Sequence, residues 1–588
     1  MIDDGTVYGA FRRTAGRYPD NDFLCVLAQT AAKYSIEARS YTYADAVLEV
    51  AKLERRYRAA GLGVGRRVGL MLENRPAFFF HWLALNALGV SVVPINPEWR
   101  SAELEYLVGH SEICVAVVPE ERVEELRLAG VDAERRLVVT TPDLVLLEVV
   151  AAVRPPTAGD ADGISGADVA AGARVTSAVP AHATRGAHPT TGANVTLAAH
   201  AIPGADTECA LLYTSGTTGR PKGCVLPNEY FLWAGSWYAQ AGGLCSVAAG
   251  KERLITPLPM SHMNAMAFST MVMLLTGGCV VPLDRFHPGT WWNSVRESRA
   301  TIVHYLGVMP AMLLGAAADE SDRMHSVRFG FGAGVSARLH AAFEERFGFP
   351  LLEAWAMTET GAGAVVIANR EPRKVGTSCF GKADSRVAWR VVNESGQDVA
   401  VGEPGELLVR CAGDSPRFGF FREYLKNPEA TAAAWQAGYF HTGDVVSIDA
   451  DGDFHFVDRK KNVIRRSGEN ISAVEVEGVL LQHPKVTSVG VIAVPDEIRG
   501  DEVMACVVPR GVVTEPEREG YARELVQFCL GRLAYFKAPG YVALCERLPL
   551  TPTEKIQRAQ LKELGRGLLA SAACVDLRSL KKRTTAAS

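Results

Sequence analysis

The chain has 588 residues, 48% hydrophobic and 22% charged, with a net charge of −4. That is too long for one core and too evenly charged for a nucleic-acid or polybasic membrane surface, so a large domain with a smaller one is expected, and no nucleic-acid partner. Twelve cysteines with no CxxC pair exclude a zinc ribbon or a disulfide framework and fit reduced thiols in the cytoplasm.

The start, Met1-Ile2-Asp3-Asp4, is acidic with no apolar stretch behind it, unlike a signal peptide. Residues 43–60 read as an amphipathic helix, 67–72 as a buried strand, 77–88 as a helix and 90–94 as another strand. This is the rhythm of a doubly wound α/β unit. Residues 151–205 are rich in Ala, Gly, Thr, Pro and Val and nearly lack large apolar side chains, so a disordered or loosely ordered insertion is expected there. Its Asn194-Val195-Thr196 sequon is read as chance. The longest apolar run, 263–283, is broken by Asn264, Gly277-Gly278 and Pro282. It predicts a buried helix and a strand, with no membrane span.

The α/β rhythm returns over 278–366, and short strands with turns follow from Gly402. Asp449, Asp451 and Asp453 alternate as calcium ligands do, but the glycine and closing glutamate of a calcium loop are missing, so a hairpin turn at Asp451-Gly452 is expected. Helices over 473–482 and 521–533 and strands over 488–494 and 502–508 predict a small α+β domain, and Leu580-Lys581-Lys582-Arg583 reads as a frayed basic tail.

The densest chemical signal is Tyr213-Thr214-Ser215-Gly216-Thr217-Thr218-Gly219-Arg220-Pro221-Lys222-Gly223, between apolar strand-like runs. Glycines let backbone N–H groups wrap an anion, hydroxyls add donors, and cations neutralise charge, as a polyphosphate requires. It is not a Walker A loop, because Pro221 precedes Lys222 and Gly223 follows it.

This segment resembles the phosphate loop of the adenylate-forming superfamily, which includes acyl-CoA synthetases, peptide-synthetase adenylation domains and luciferases. The resemblance extends over about residues 10–565, apart from the insertion. Five motifs stand in the family's order, and the stretch 456–479, Ile498–Glu502 and Phe536-Lys537-Ala538-Pro539 look most like carnitine/crotonobetaine-CoA ligases. It implies a large N-terminal domain of two doubly wound subdomains and a distorted β-barrel (1–458), a hinge (459–461), a mobile α+β domain (462–570) and a tail (571–588).

By resemblance, Thr214, Ser215, Gly216, Thr217, Thr218, Gly219 and Lys222 hold the phosphates of ATP. In Glu353-Ala354-Trp355-Ala356-Met357-Thr358-Glu359, Trp355 stacks on adenine, Thr358 meets the α-phosphate and Glu359 binds Mg2+. Asp444 and Arg459 take the ribose, Lys461 is the pivot, and Gly468 lines a pantetheine tunnel with Arg465 and Arg466 as candidate CoA phosphate contacts. His262 is a gate or catalytic residue, and with Asn264, Gly332, Ala333 and Gly334 it bounds the acyl pocket. Lys555, preceded here by Glu554 where the family has Gly, is the adenylating lysine. The implied function is an ATP-dependent acyl-CoA ligase that uses a small carboxylic acid, ATP, Mg2+ and CoA. Two other readings stay open: an adenylation enzyme that loads a carrier-protein thiol or runs one half-reaction, and a non-catalytic nucleotide-binding protein. A homodimer is also left open.

Overall fold

The computed structural model describes residues 5–129, 136–140, 202–214, 221–459, 463–549 and 558–582. Two large mixed sheets form the body of the N-terminal portion. In the first, Arg67–Leu70, Ser91–Pro94, Val115–Pro119 and Arg136–Thr140 run parallel, and Glu208–Thr214, Lys222–Pro227 and Glu423–Tyr424 extend one side. The second runs from Val366–Ile367 through Leu351–Trp355, Phe329–Ala333, Ile302–Leu306, Arg253–Thr256 and Cys279–Pro282 to Asp22–Cys25 and Ser40–Thr42. A third, antiparallel sheet contains Val387–Val392, Gly405–Cys411, Tyr439–Ile448 and Phe454–Arg459, the partial barrel expected from the short strands after Gly402.

Local chemistry explains the helices that join the sheets. The helix Tyr43–Ala59 starts on a capping box, with the Thr42 hydroxyl accepting from Asp45 N–H while the Asp45 carboxylate accepts from Thr42 N–H. Such a cap contributes about 1 kcal/mol. The helix Pro76–Ala87 is buried over nearly its whole length, including Phe78, Phe79, Phe80 and Trp82, as a helix apolar on all sides must be. The apolar run after Met263 forms a π-helical turn, Asn264–Ser269, before the α-helix Thr270–Thr276 and the strand Cys279–Pro282. Wide turns of this kind re-aim side chains and are frequent at functional sites.

The expected calcium-like triad is a hairpin turn held by a lysine. Lys374 Nζ lies 2.5, 2.7 and 3.0 Å from carboxylate oxygens of Asp449, Asp451 and Asp453, and His455 Nε2 is 2.7 Å from Asp449. The lysine side chain occupies the position a bound cation would take.

The C-terminal sheet joins Val486–Asp496, Gly500–Pro509 and Tyr541–Leu544 to the hairpin Val463–Arg466/Glu469–Ser472. Two expectations are corrected at the termini of the predicted segments. The end of the stretch assigned to the insertion is tied down at Gly204, whose carbonyl accepts from the Asn228 amide at 3.1 Å. Residues 141–201 lie outside the described residues. The tail is not frayed over 571–582. Cys574–Asp576 adds a strand beside Tyr541–Leu544, and Lys581 is fully buried against Glu502. Backbone pairing and a buried carboxylate partner outweigh the polarity that suggested a loose end.

Glu502, with no exposed surface, also receives Arg466 Nε at 2.8 and 2.9 Å. Burial, reinforced by Arg466, pushes the Lys581 ammonium down to about 7 against the pull of Glu502. One carboxylate thus holds a buried guanidinium and a buried amine whose charge burial weakens. Glu502→Ala should destabilise the C-terminal portion by about 3–5 kcal/mol, read by denaturant unfolding, because it strands the Arg466 guanidinium and leaves the Lys581 amine without its partner. A loss below about 1 kcal/mol, the level of an exposed pair, would contradict this.

Candidate functional site

A cavity of about 1490 Å3 opens where the two large sheets, the partial barrel and the C-terminal portion meet. Its wall includes Thr214, Lys222, Thr358 and Glu359 on one side, Asn264, Gly332 and Ala333 on another, and Arg465 and Gly468 from the C-terminal portion.

The phosphate-loop expectation falls on a β-hairpin. Glu208–Thr214 pairs antiparallel with Lys222–Pro227, and Thr214 is opposite Lys222. Residues 215–220, and with them Ser215, Gly216, Thr217, Thr218 and Gly219, lie outside the described residues. Next to Lys222 the edge strand places Tyr424. The Lys222 ammonium sits 4.2 Å from the Tyr424 ring centroid, and the Tyr424 hydroxyl donates to Glu359 Oε1 at 2.8 Å. Burial and then the Glu359 charge push the Tyr424 phenol pKa upward, so it remains a donor at any working pH. Tyr230 donates to the Thr358 carbonyl at 2.9 Å and fixes the turn that carries Thr358 and Glu359. Glu359 therefore presents a hard, oriented carboxylate beside a cationic hairpin. This fits Mg2+, which is held by one or two carboxylates together with substrate phosphates.

Trp355 and Asp444, expected at adenine and ribose, are joined to each other. Trp355 Nε1 donates to Asp444 Oδ2 at 2.9 Å, and the indole stacks near Phe380 with centroids 6.3 Å apart. Both residues are buried, and it is their neighbours, Ala354, Ala356, Thr442 and Gly443, that line the cavity. A strand sends successive side chains to opposite faces, which puts Ala354 and Ala356 in and Trp355 out. Asp444 is paired in register with Arg459, so the two expected ribose contacts share one rung of the barrel.

The acyl-pocket expectations are brought together. Asn264 Oδ1 lies 2.7 Å from His304 Nδ1, and Tyr238 Oη lies 3.1 Å from His304 Nε2. Desolvation holds His304 down to about 3, so its imidazole is neutral. A proton on Nδ1 then satisfies both contacts, donating to Asn264 and accepting from Tyr238. The Asn264 side chain is thereby held by His304, whose Nδ1 also lies 2.8 Å from Ser269 Oγ. Gly332 and Ala333 line the wall, but Gly334 N–H is turned to Glu353 Oε2 at 2.9 Å. Glu353 also accepts from Val335 N–H at 3.1 Å and Tyr305 hydroxyl at 2.9 Å, which shapes this turn from behind.

The C-terminal hairpin turns at Ser467-Gly468, both with positive φ (51° and 89°), the conformation tight two-residue hairpins require. It places Gly468 against Leu306, where a Cβ would collide with that side chain. The structure separates the two candidate arginines. Arg466, 3% exposed, is committed to Glu502, whereas Arg465 is exposed with its guanidinium 5.8 Å from the Phe456 ring centroid. Lys461 and Lys555 lie outside the described residues.

Sequence reasoning did not find Tyr424, Tyr230, Glu353 or His304. Of these, His304 and Glu353 carried a local signal, each a polar residue inside an apolar strand, Ile302–Leu306 and Leu351–Trp355.

This arrangement, with two α/β sheets, a partial barrel and a small C-terminal sheet closing one cleft, defines an adenylate-forming enzyme. The AMP-binding enzyme family matches residues 11–424 and the AMP-binding enzyme C-terminal domain matches 475–555, and the chain belongs to this family. It is an AMP-forming acid–thiol ligase that uses ATP, Mg2+ and CoA. It is 30% identical over 526 residues to a crotonobetaine/carnitine–CoA ligase of Salmonella paratyphi A, covering 89% of this chain and 93% of that one. Among solved structures it resembles o-succinylbenzoate CoA synthetase of Bacillus subtilis (TM-score 0.74, 23% identity, 94% and 98% of the two chains). A malonyl-CoA ligase with methylmalonyl-CoA and AMP bound is also similar (TM-score 0.66, 25% identity, 90% and 97%). Among the described residues no helix is long and apolar enough to cross a membrane, and all twelve cysteines are free thiols.

His262 bridges the two portions, with Nε2 3.6 Å from Glu469 Oε2. Loss of hydration works against its charge, but Glu469 outweighs this and raises its pKa above the ordinary value of about 6.5. A raised pKa means that the contact favours closure fully below about pH 6.5 and is lost as pH rises through the elevated value. Hydrogen exchange at the amides of Gly468 and Glu469 should therefore quicken with pH beyond the intrinsic rate, and His262→Asn should remove that excess. An unchanged excess in the variant would contradict the assignment.

Proposed function

We propose that the chain joins a small carboxylic acid to CoA in two steps in one cleft: acyl-AMP and pyrophosphate form first, then the CoA thiol displaces AMP. The observation that carries this reading is that the cationic hairpin, the Thr358–Glu359 turn, the acyl pocket and the Gly468 turn open on the same cavity.

The residues divide the work. Lys222 and Thr214 neutralise and orient phosphates, and Thr358 donates at the α-phosphate, where negative charge develops. Mg2+ held beside Glu359 neutralises the phosphates when bound. Asn264, Gly332 and Ala333 position the acid, and the Trp355–Asp444 pair with Arg459 sits behind the adenosine. Lys555 supplies the adenylating cation. Rotation about Lys461 then withdraws Lys555 and brings Gly468 forward. Gly468 lines the cavity, which supports reading this arrangement as the thioester-forming one. Arg465 is the arginine of the pair exposed to meet a CoA phosphate. On this reading the N-terminal portion ends near residue 458 and the mobile domain continues through Lys581.

The apolar lining of Phe268, Leu306, Met309 and Phe331 supports an acid with an apolar body. The relatives named for crotonobetaine and carnitine make those acids the first to test. Pyrophosphate release with ATP and a panel of acids, with and without CoA, tests the whole reading. Release without thioester would favour the half-reaction or carrier-protein alternative, and no release with any acid would favour a nucleotide-binding protein. Lys555→Ala should lower adenylation at least about 100-fold, the scale of one preorganised charge, while thioester formation from supplied acyl-AMP persists. Gly468→Leu should do the reverse, since it both strains the turn and fills the tunnel. Equal loss of both half-reactions in either variant would contradict its assigned role.

A further inference from the structure

The interface between the two portions is largely apolar. One cluster runs from Val93, Ile95, Trp99 and Leu104 to Leu533, Ala534 and Phe536. Within it lies a charged group that the two-step scheme does not use. Glu103 is the third residue of the helix Ser101–Ser111, and its Oε2 accepts from Arg100 N–H at 3.1 Å, which fixes the carboxylate to the N-terminal portion. The same oxygen accepts from Ala534 N–H at 3.0 Å, and Oε1 receives Lys537 Nζ at 2.5 Å. Lys537 Nζ also meets Glu475 Oε1 at 2.9 Å and lies 5.6 Å from the Trp99 ring centroid. The three charged side chains are 5–10% exposed. Lys537 further lines a crevice with Thr214, Thr358 and Glu469, so the group borders the reacting centre.

We propose that Glu103 and Lys537 are positioning residues that register the C-terminal domain in the thioester-forming orientation. The inference rests on the acyl-CoA ligase reading above. The physical reason lies in what an alternating interface needs. An apolar seam is non-directional and tolerates sliding. A buried ion pair adds little net attraction, because its desolvation cost nearly offsets its Coulomb gain, yet a misplaced partner is heavily penalised. Such a pair specifies one orientation without making it hard to leave. When the domains part, both charges regain water. Glu475 adds a second carboxylate on the mobile side, so Lys537 travels with its own counter-ion and is never left bare in the cleft. Glu103 keeps its backbone donor from Arg100 in either state.

The test uses the full chain with ATP, Mg2+ and CoA, and with crotonobetaine and butyrate as acids. Glu103→Ala should slow thioester formation from supplied acyl-AMP by at least about tenfold and leave pyrophosphate release within twofold. Glu103→Gln keeps the shape and should fall between Ala and the parent. Glu103→Lys combined with Lys537→Glu should recover part of the thioester rate, though not all, since the exchanged lysine gives no acceptor for Ala534 N–H. A readout independent of the acid is the Ala534 amide, which should exchange faster in Glu103→Ala with AMP and CoA present. Equal loss of both half-reactions, no loss of either, or unchanged Ala534 exchange would overturn the proposal. A parent enzyme that releases pyrophosphate but makes no thioester would instead overturn the ligase reading, and the Ala534 exchange would still decide the registration.

Discussion

The site depends on one contact between sheets, the Tyr424 hydroxyl on Glu359 with Lys222 over the same ring. Three segments distant in sequence are brought to a point there: the hairpin strand, the turn after Trp355 and the edge strand Glu423–Tyr424. Pairing of Tyr424 with Cys224 sets the register of that edge strand. A slip of one residue would turn Tyr424 to the other face and leave Lys222 and Glu359 unconnected. The phenol thus touches the Lys222 ammonium with its ring and the Glu359 carboxylate with its hydroxyl.

Behind that corner the supporting groups work by satisfying backbone polarity. Glu353 gathers two N–H groups and a hydroxyl, and His304 stays neutral and locks Asn264. Neither contact needs solvent, so both hold shape in a cavity that fills and empties during turnover. The C-terminal portion follows a different logic. Its own interior is closed by Arg466, Glu502 and Lys581, while its outward contacts, through His262–Glu469 and Glu103–Lys537, are charged pairs of the kind that can be remade.

Much of this was legible because the signals are local. Alternation of apolar runs with helical periodicity foretold the paired strands, and the apolar runs on either side of 213–223 foretold the strands Glu208–Thr214 and Lys222–Pro227. The unreadable parts depend on partners far along the chain. Tyr424 looks like any strand tyrosine until Glu359, 65 positions away, is seen to meet it, and Glu103 and Lys537 are 434 positions apart. Arg465 and Arg466 are adjacent and chemically identical, so sequence could not separate them, whereas strand alternation buries one and exposes the other. The basic ending looked loose because Lys581 reads as a solvent group unless its buried carboxylate is known.

The turn at Asp449–Asp453 has a mechanical implication. A metal ion in that position could dissociate, and the hairpin would then loosen with the ion supply. A covalently tethered ammonium cannot leave, so the strand Phe454–Arg459 begins from a permanently clamped end.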